Sequence, residues 1–355
     1  RDQRSDLAAM RRWQRDLYEA GFLGAGWPAE HGGATLSPMQ QAILNEELAR
    51  AGAPGPVNSM AIWWVGPAII RYGTEEQKQR FLAPILTADE IWATGYSEPG
   101  SGSDMAAAKT RAVRDGDFYI VNGQKVWTTI AHISDWFFIL VRTSTEGKKQ
   151  AGLSLLLIDM KSPGVEVKPI RQITGDSEFN EVFLHDVEVP VRNLLGKEGQ
   201  GWEIVSGALV NERSGIAGSL RVDQLLSKLI STATKRELID DRLLRQKLAM
   251  LAIYAQVFKS FSLRALSDAL HQRFNPHMSA AMKLFSTELN QRFSETGVDM
   301  LGPYGNLWQG SERTPDNGNW AYQFLMDRSA TIAGGTSEVQ RNIVAHRVLG
   351  LPRES

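Results

Sequence analysis

Glu212 is a carboxylate standing where an apolar side chain belongs. After Gly201 the chain places Trp202, Val205, Leu209 and Ile216 at helical spacing, and Glu212 fills the vacant position of that stripe. A carboxylate on the inward side of a helix is either paired with a cation, for which neighbouring Arg213 is at hand, or held at an altered proton affinity for acid–base work. Other segments suit a polar, planar ligand. The stretch Tyr96-Ser97-Glu98-Pro99-Gly100-Ser101-Gly102-Ser103-Asp104 gathers glycines and hydroxyls into one loop. It either brings backbone N–H groups close to a ligand or is a plain solvent loop. It is no dinucleotide fingerprint, because Met105 stands where the third glycine would be. Trp127-Thr128-Thr129 offers an indole and hydroxyls to a heterocycle, or else a buried indole capping a small barrel. Near the C-terminus Ile332-Ala333-Gly334-Gly335-Thr336-Ser337-Glu338 is a Gly-rich turn for which Thr336 is a good N-cap, with N–H groups that favour electron-rich atoms where a ligand is present. His31, His132, His185, His271, His277 and His346 show no ligand spacing, so no metal is assigned.

The elements that position these residues fall into three blocks. Residues 1–90 read as helices, with Leu7, Met10 and Leu17 at helical spacing, Gly21 as a stop, and further helices near 40–50 and 61–72. Thr74 and Gln77 form a capping box for a helix running toward Leu86. Residues 91–195 carry short strands at 118–121, 125–129, 136–141, 153–159, 165–169, 181–184 and 187–189. Asp115-Gly116, Asn122-Gly123 and Pro163-Gly164 read as turns between them, so a small antiparallel β domain is expected. Residues 196–355 return to the helical period, closed by Gly350 and Pro352.

Bulk properties narrow the function. A chain of 355 residues can bury a sizeable ligand, and 39 basic residues against 40 acidic ones give no field that draws nucleic acid or anionic lipid. With Cys 0, disulfides, thiolate metal sites and cysteine nucleophiles are excluded, and a reducing, cytoplasmic setting is expected. The longest apolar runs are strand-length, so no membrane span is expected.

Read in order, GWPAEHGG (Gly26 to Gly33), YSEPGSGSD (Tyr96 to Asp104), NGQKVWTT (Asn122 to Thr129), EFNEVFLHDVEVP (Glu178 to Pro190), NLLGKEGQGW (Asn193 to Trp202) and GGTSEVQRNIVAHRVLG (Gly334 to Gly350) resemble the acyl-CoA dehydrogenase family over nearly the whole chain. The resemblance implies an α+β multidomain fold: helical domain, β domain and four-helix bundle. It implies FAD held between β domain and bundle, with Tyr96, Ser97 and Trp127 to Thr129 along the isoalloxazine. Gly102 and Ser103 would border flavin and substrate, and Gly335, Thr336, Ser337 and Glu338 would add FAD contacts. The Gly334 N–H would help hold the thioester oxygen while a carboxylate takes the α proton and the β hydrogen leaves as hydride. An acyl-CoA substrate lined by Ser103, Leu209 and Arg213, an electron-transferring flavoprotein as oxidant, and a homo- or hetero-oligomer follow from the same resemblance.

Departures sharpen it. Many members carry the base in Tyr-Glu-Gly-Thr, whereas this chain has Ala333-Gly334-Gly335-Thr336. Glu212-Arg213 matches the minority that place the base on the first bundle helix, similar to isovaleryl-CoA and long-chain dehydrogenases. Residues 234–248 lack the RxxFG motif that reaches a pyrophosphate, and Asp299 and Pro303 stand where Gln and Gly are usual. Those changes resemble bacterial members, including those that assemble from two different subunits and dehydrogenate bulky side-chain thioesters. The alternatives are an FAD-poor scaffold subunit, and an oxidase or acyl-carrier-protein dehydrogenase.

Overall fold

The change of hydrophobic period near residue 90 is a change of architecture in the computed structural model, which describes residues 3–212, 216–273, 275, 277–310 and 312–352, with the backbone alone for 3–6, 208–212 and 216–220. Helices α1 (Gln3–Glu19), α2 (Pro38–Arg50), α3 (Gly66–Tyr72) and α4 (Glu75–Thr87) come first. Strands β1 (Trp92–Gly95), β2 (Arg111–Asp115), β3 (Phe118–Thr129), β4 (Trp136–Arg142), β5 (Leu153–Asp159), β6 (Val165–Pro169), β7 (Phe179–Pro190) and β8 (Leu194–Leu195) follow. Helices α5 (Gly201–Glu212), α6 (Ile216–Lys235), α7 (Arg242–Leu270), α8 (Met278–Leu301), α9 (Asn319–Ala330) and α10 (Ser337–Ile343) complete the chain. The capping box forms as expected: Thr74 Oγ1 accepts from the Gln77 N–H at 3.3 Å, and Gln77 Oε1 accepts from the Thr74 N–H at 3.1 Å.

The chain divides into two compact units, Arg1–Ser37 with Pro54–Glu212, and Pro38–Ala53 with Arg213–Ser355. In the first unit an 8-stranded sheet runs β6-β7-β3-β2-β4-β5-β8, with β1 beside β4. The sheet is mixed rather than purely antiparallel, since β1 and β2 both pair with β4 in parallel. Its interior holds Tyr119, Val121, Phe137, Ile139, Leu156 and Val182. Phe81 of α4 meets Trp92 and Trp136 edge-on at 5.2 and 4.8 Å, which ties that helix to the sheet.

One expected turn is absent, and two expected strands are continuous. Asn122-Gly123 lies inside the single strand β3, and the segments expected at 181–184 and 187–189 are one strand, β7. The reason is cross-strand bonding. Asn122 Nδ2 donates to Asp186 Oδ1 at 2.8 Å and Asn122 Oδ1 accepts from the Asp186 N–H at 2.9 Å, closing a bulge where a hairpin turn was expected. Gly123 is required for a different reason: a Cβ there would lie 2.6 Å from Thr110 Oγ1.

The second unit is the helical bundle, built on Leu229, Phe258, Leu289, Phe293 and Trp320. Helix α2 joins it from the N-terminal region, and Gln224 Nε2 of α6 donates to Ala49 O at 2.8 Å. Among the described residues no helix is long and apolar enough to cross a membrane.

Candidate functional site

In the first unit the site begins with a bulge in β3. Between Lys125↔Val182 and Thr128↔Asn180, β3 advances by one residue more than β7. The extra residue takes Trp127 to φ 61°, a left-handed backbone that costs an L-residue roughly 1–2 kcal/mol. The indole is 59% exposed and touches Phe179 edge-on at 6.2 Å, so it is not the buried cap that spacing alone allowed. The same bulge turns Thr128 inward. Its carbonyl accepts from Asn180 Nδ2 at 2.9 Å, while its buried Oγ1 has no hydrogen-bond partner among the described residues. Thr129 is half-buried and pairs with Phe179.

The Tyr96–Asp104 loop is docked onto that edge. The Val126 N–H donates to Ser97 O at 3.0 Å, and Lys125 Nζ donates to Tyr96 O at 3.2 Å. Lys125 is fully buried and also bonds Glu98 Oε1 at 2.9 Å. Burial pushes the Lys125 ammonium down to about 8, partly opposed by Glu98. Burial would raise the Glu98 carboxyl, but Lys125 together with hydrogen bonds from Thr110 and Lys109 outweighs it and holds that carboxyl below its ordinary value. Glu98 and Ser101 exchange backbone bonds at 3.0 Å, and Ser101 Oγ donates to Asp104 O at 2.7 Å, so the loop is folded on itself. Gly102 and Ser103 are exposed, and a Cβ added to Gly102 would meet nothing within 4 Å. The structure therefore brings Tyr96, Ser97 and Trp127 to one strand crossing.

In the second unit Gly334 and Gly335 have φ 64° and 97°, and their carbonyls turn inward. Gln340 Nε2 donates to Gly334 O at 2.9 Å, and Lys283 Nζ donates to Gly335 O at 2.7 Å. Thr336 caps α10 by accepting from the Val339 N–H at 3.2 Å. Glu338 at that helix start has its carboxyl held below its ordinary value by its own N–H and by Thr336. Ser337 Oγ and Gln340 Oε1 are buried without partners among the described residues. Beside them, Thr331, Thr336, Ser337 and Arg341 line a concavity of about 460 Å³.

Helix α5 ends at Glu212, whose side chain, like that of Leu209, lies outside the described residues, as does all of Arg213. Earlier in that helix Ile204 and Val205 are fully buried, consistent with an inward stripe. Asp299 forms an ion pair with Lys247 at 3.0 Å, so its charge is met within the bundle. No group of residues able to hold a metal occurs among those described.

Sequence reasoning missed Lys125, Glu98, Asn180, Lys283 and Gln340. Lys125 could have been found, because it shares the inward parity of Tyr119 and Val121 on β3. Glu98, Asn180 and Lys283 act across long sequence separations, whereas Gln340 reaches back only to Gly334 and Gly335.

An unpartnered buried hydroxyl at Thr128, beside an exposed indole on a strained backbone, fits a flat, polar cofactor better than a closed core. Comparison with known proteins agrees. Residues 2–89, 93–187 and 199–349 match the family models for the acyl-CoA dehydrogenase N-terminal, middle and C-terminal domains. The chain is 39% identical to acyl-CoA dehydrogenase IpdE1 of Mycobacterium tuberculosis, over 97% of this chain and 89% of the relative. The structure resembles the Tcur3481-Tcur3483 steroid ACAD with TM-score 0.89 at 30% identity, over 97% of this chain and 89% of that one. It resembles the ChsE4-ChsE5 complex from Mycobacterium tuberculosis with TM-score 0.88 at 34% identity, over 99% of this chain and 93% of that one.

Proposed function

The chain belongs to the acyl-CoA dehydrogenase family, oxidoreductases acting on acyl-CoA, and from that premise we propose an FAD-dependent α,β-dehydrogenase of a bulky or branched thioester with Glu212 as base. The Trp127–Thr128 edge carries this reading, since backbone strain and an unsatisfied buried hydroxyl persist in native proteins chiefly where a ligand repays them. Tyr96, Ser97 and Trp127 to Thr129 would hold the flavin ring, with Gly102 and Ser103 at its margin and Gly335 to Glu338 adding contacts. When bound, the flavin supplies the acceptor for the hydride equivalent from the β carbon.

The protein's own part is proton chemistry and placement. The Glu212 carboxylate takes the α proton onto one of its oxygens. The Gly334 N–H donates to the thioester oxygen, where negative charge builds as that proton leaves. Ser103, Leu209 and Arg213 line the acyl chain, and electrons pass on to an electron-transferring flavoprotein. Glycine at 334, where many relatives carry a glutamate, leaves room for bulk in the substrate, which accords with a steroid ACAD among the similar structures. Similarity to two-chain assemblies supports an oligomer, either of one chain or mixed.

That similarity also favours a second reading, an FAD-poor scaffold subunit. Absorbance of the purified chain, alone and with a partner subunit, separates the two: flavin bands are expected from the ultraviolet to the blue. Rates across straight, branched and ring-bearing thioesters then test the substrate. An assembled protein that stays colourless with added FAD, or one that prefers short straight chains, counts against the proposal.

A further inference from the structure

Lys125 is buried at 0% exposure, yet nothing in the proposed proton chemistry uses it. Its ammonium bridges two neighbours on the docked loop, Glu98 Oε1 at 2.9 Å and Tyr96 O at 3.2 Å. Glu98 is in turn anchored by the backbone N–H groups of Lys109 at 2.6 Å and Thr110 at 2.8 Å. One residue further along β3, the Val126 N–H holds Ser97 O at 3.0 Å, and the next residue is Trp127 at φ 61°. Lys125 thus ties the Tyr96–Glu98 segment to the strand that carries Trp127.

The Tyr96 carbonyl and the Ser97 N–H belong to one peptide group. An ammonium donating to the carbonyl draws electron density from the nitrogen and strengthens the N–H as a donor, an effect enlarged in a low-dielectric interior. The Ser97 N–H makes no hydrogen bond among the described residues. It is a donor with a cation behind it and no acceptor among the described residues.

We infer that Lys125 is a positioning residue which, acting through the Tyr96–Ser97 peptide, favours the electron-rich, reduced form of the flavin bound at that edge. This rests on the flavin reading above. The pair with Glu98 fixes the loop, and the charge of Lys125 sets how strongly the edge accepts electrons.

The other charge facing Lys125 is the Arg142 guanidinium of β4, which donates to Ala108 O at 2.8 Å and Ala106 O at 2.6 Å. Lys125 is held down to about 8, so its influence is full below that pH and is lost as pH rises through it.

The test is the reduction potential of the flavin in the assembled holoenzyme, measured against a reference dye. Lys125→Gln keeps a donor for Tyr96 O and removes the charge; Lys125→Met removes both. Each is expected to lower the reduced-to-oxidised ratio at fixed potential at least tenfold, ~30 mV for a two-electron couple. The wild-type protein supplies an arm that needs no variant: its potential should fall more steeply with pH near 8 than free flavin does. Flavin-loaded variants with an unchanged potential, or a wild-type line without that steepening, overturn the inference and leave the flavin reading standing. A wild-type assembly that takes up no flavin overturns both.

Discussion

Replacing Trp127 separates a residue kept for the fold from one kept for a ligand. Glycine at this position relieves the left-handed strain, roughly 1–2 kcal/mol at φ 61°. Against that stand the entropy of an added glycine, roughly 0.5–1 kcal/mol, and the loss of the edge contact with Phe179, about 0.5–1.5 kcal/mol. The sum is close to zero, so Trp127→Gly should leave the stability of the cofactor-free protein within about 1 kcal/mol of wild type. Trp127→Ala loses the ring contact without relieving the strain and should be the less stable of the two. Both should weaken FAD binding roughly two- to tenfold, the worth of one aromatic face. Thermal unfolding of the cofactor-free proteins and fluorescence titration with FAD give the two readouts. A Gly variant that unfolds at much lower temperature, or binds FAD as wild type does, refutes the assignment of the indole to the cofactor.

Further consequences attach to Glu98 and Gly335. Because the Glu98 carboxyl is held below its ordinary 4.5, its contribution to stability is full above that pH and is lost as pH falls through the lowered value. Thermal midpoints of wild type and Glu98→Gln should therefore converge as pH drops below about 4.5, and parallel curves would count against the buried pair. Gly335→Ala puts a Cβ 2.5 Å from Gln340 Nε2 on a backbone at φ 97°, so it should cost roughly 1–2 kcal/mol or more in the bundle's thermal stability; an unchanged midpoint would show that the turn is not held as described.

Much of this was legible because local physics determined it. The capping box at Thr74, the cap at Thr336 and the apolar runs of β4 and β5 each depend on residues within a few positions of one another. Asn122-Gly123 misled because a side-chain pair with Asp186, distant in sequence, outweighed a good local turn signal. Trp127 was legible as a candidate but not as an exposed one, since the bulge that turns it outward depends on the register with β7. Glu212 stood out as a carboxylate on an apolar stripe, and the role proposed for it rests on resemblance rather than periodicity. Lys125 carried a signal in its inward parity, whereas Lys283 meets the Gly334–Gly335 turn through a tertiary contact alone.

Anaerobic stopped-flow reduction of the bound flavin by a thioester, comparing wild type with Glu212→Gln, tests the central claim most directly. Glutamine keeps the size and hydrogen-bonding capacity of the side chain but cannot accept the α proton. The variant is expected to fold, hold FAD and bind the thioester, while bleaching slows by at least about a hundredfold, the usual scale for a lost general base. Near-normal bleaching, with or without reduced thermal stability, would contradict the account and leave Glu212 as no more than the partner of a neighbouring cation.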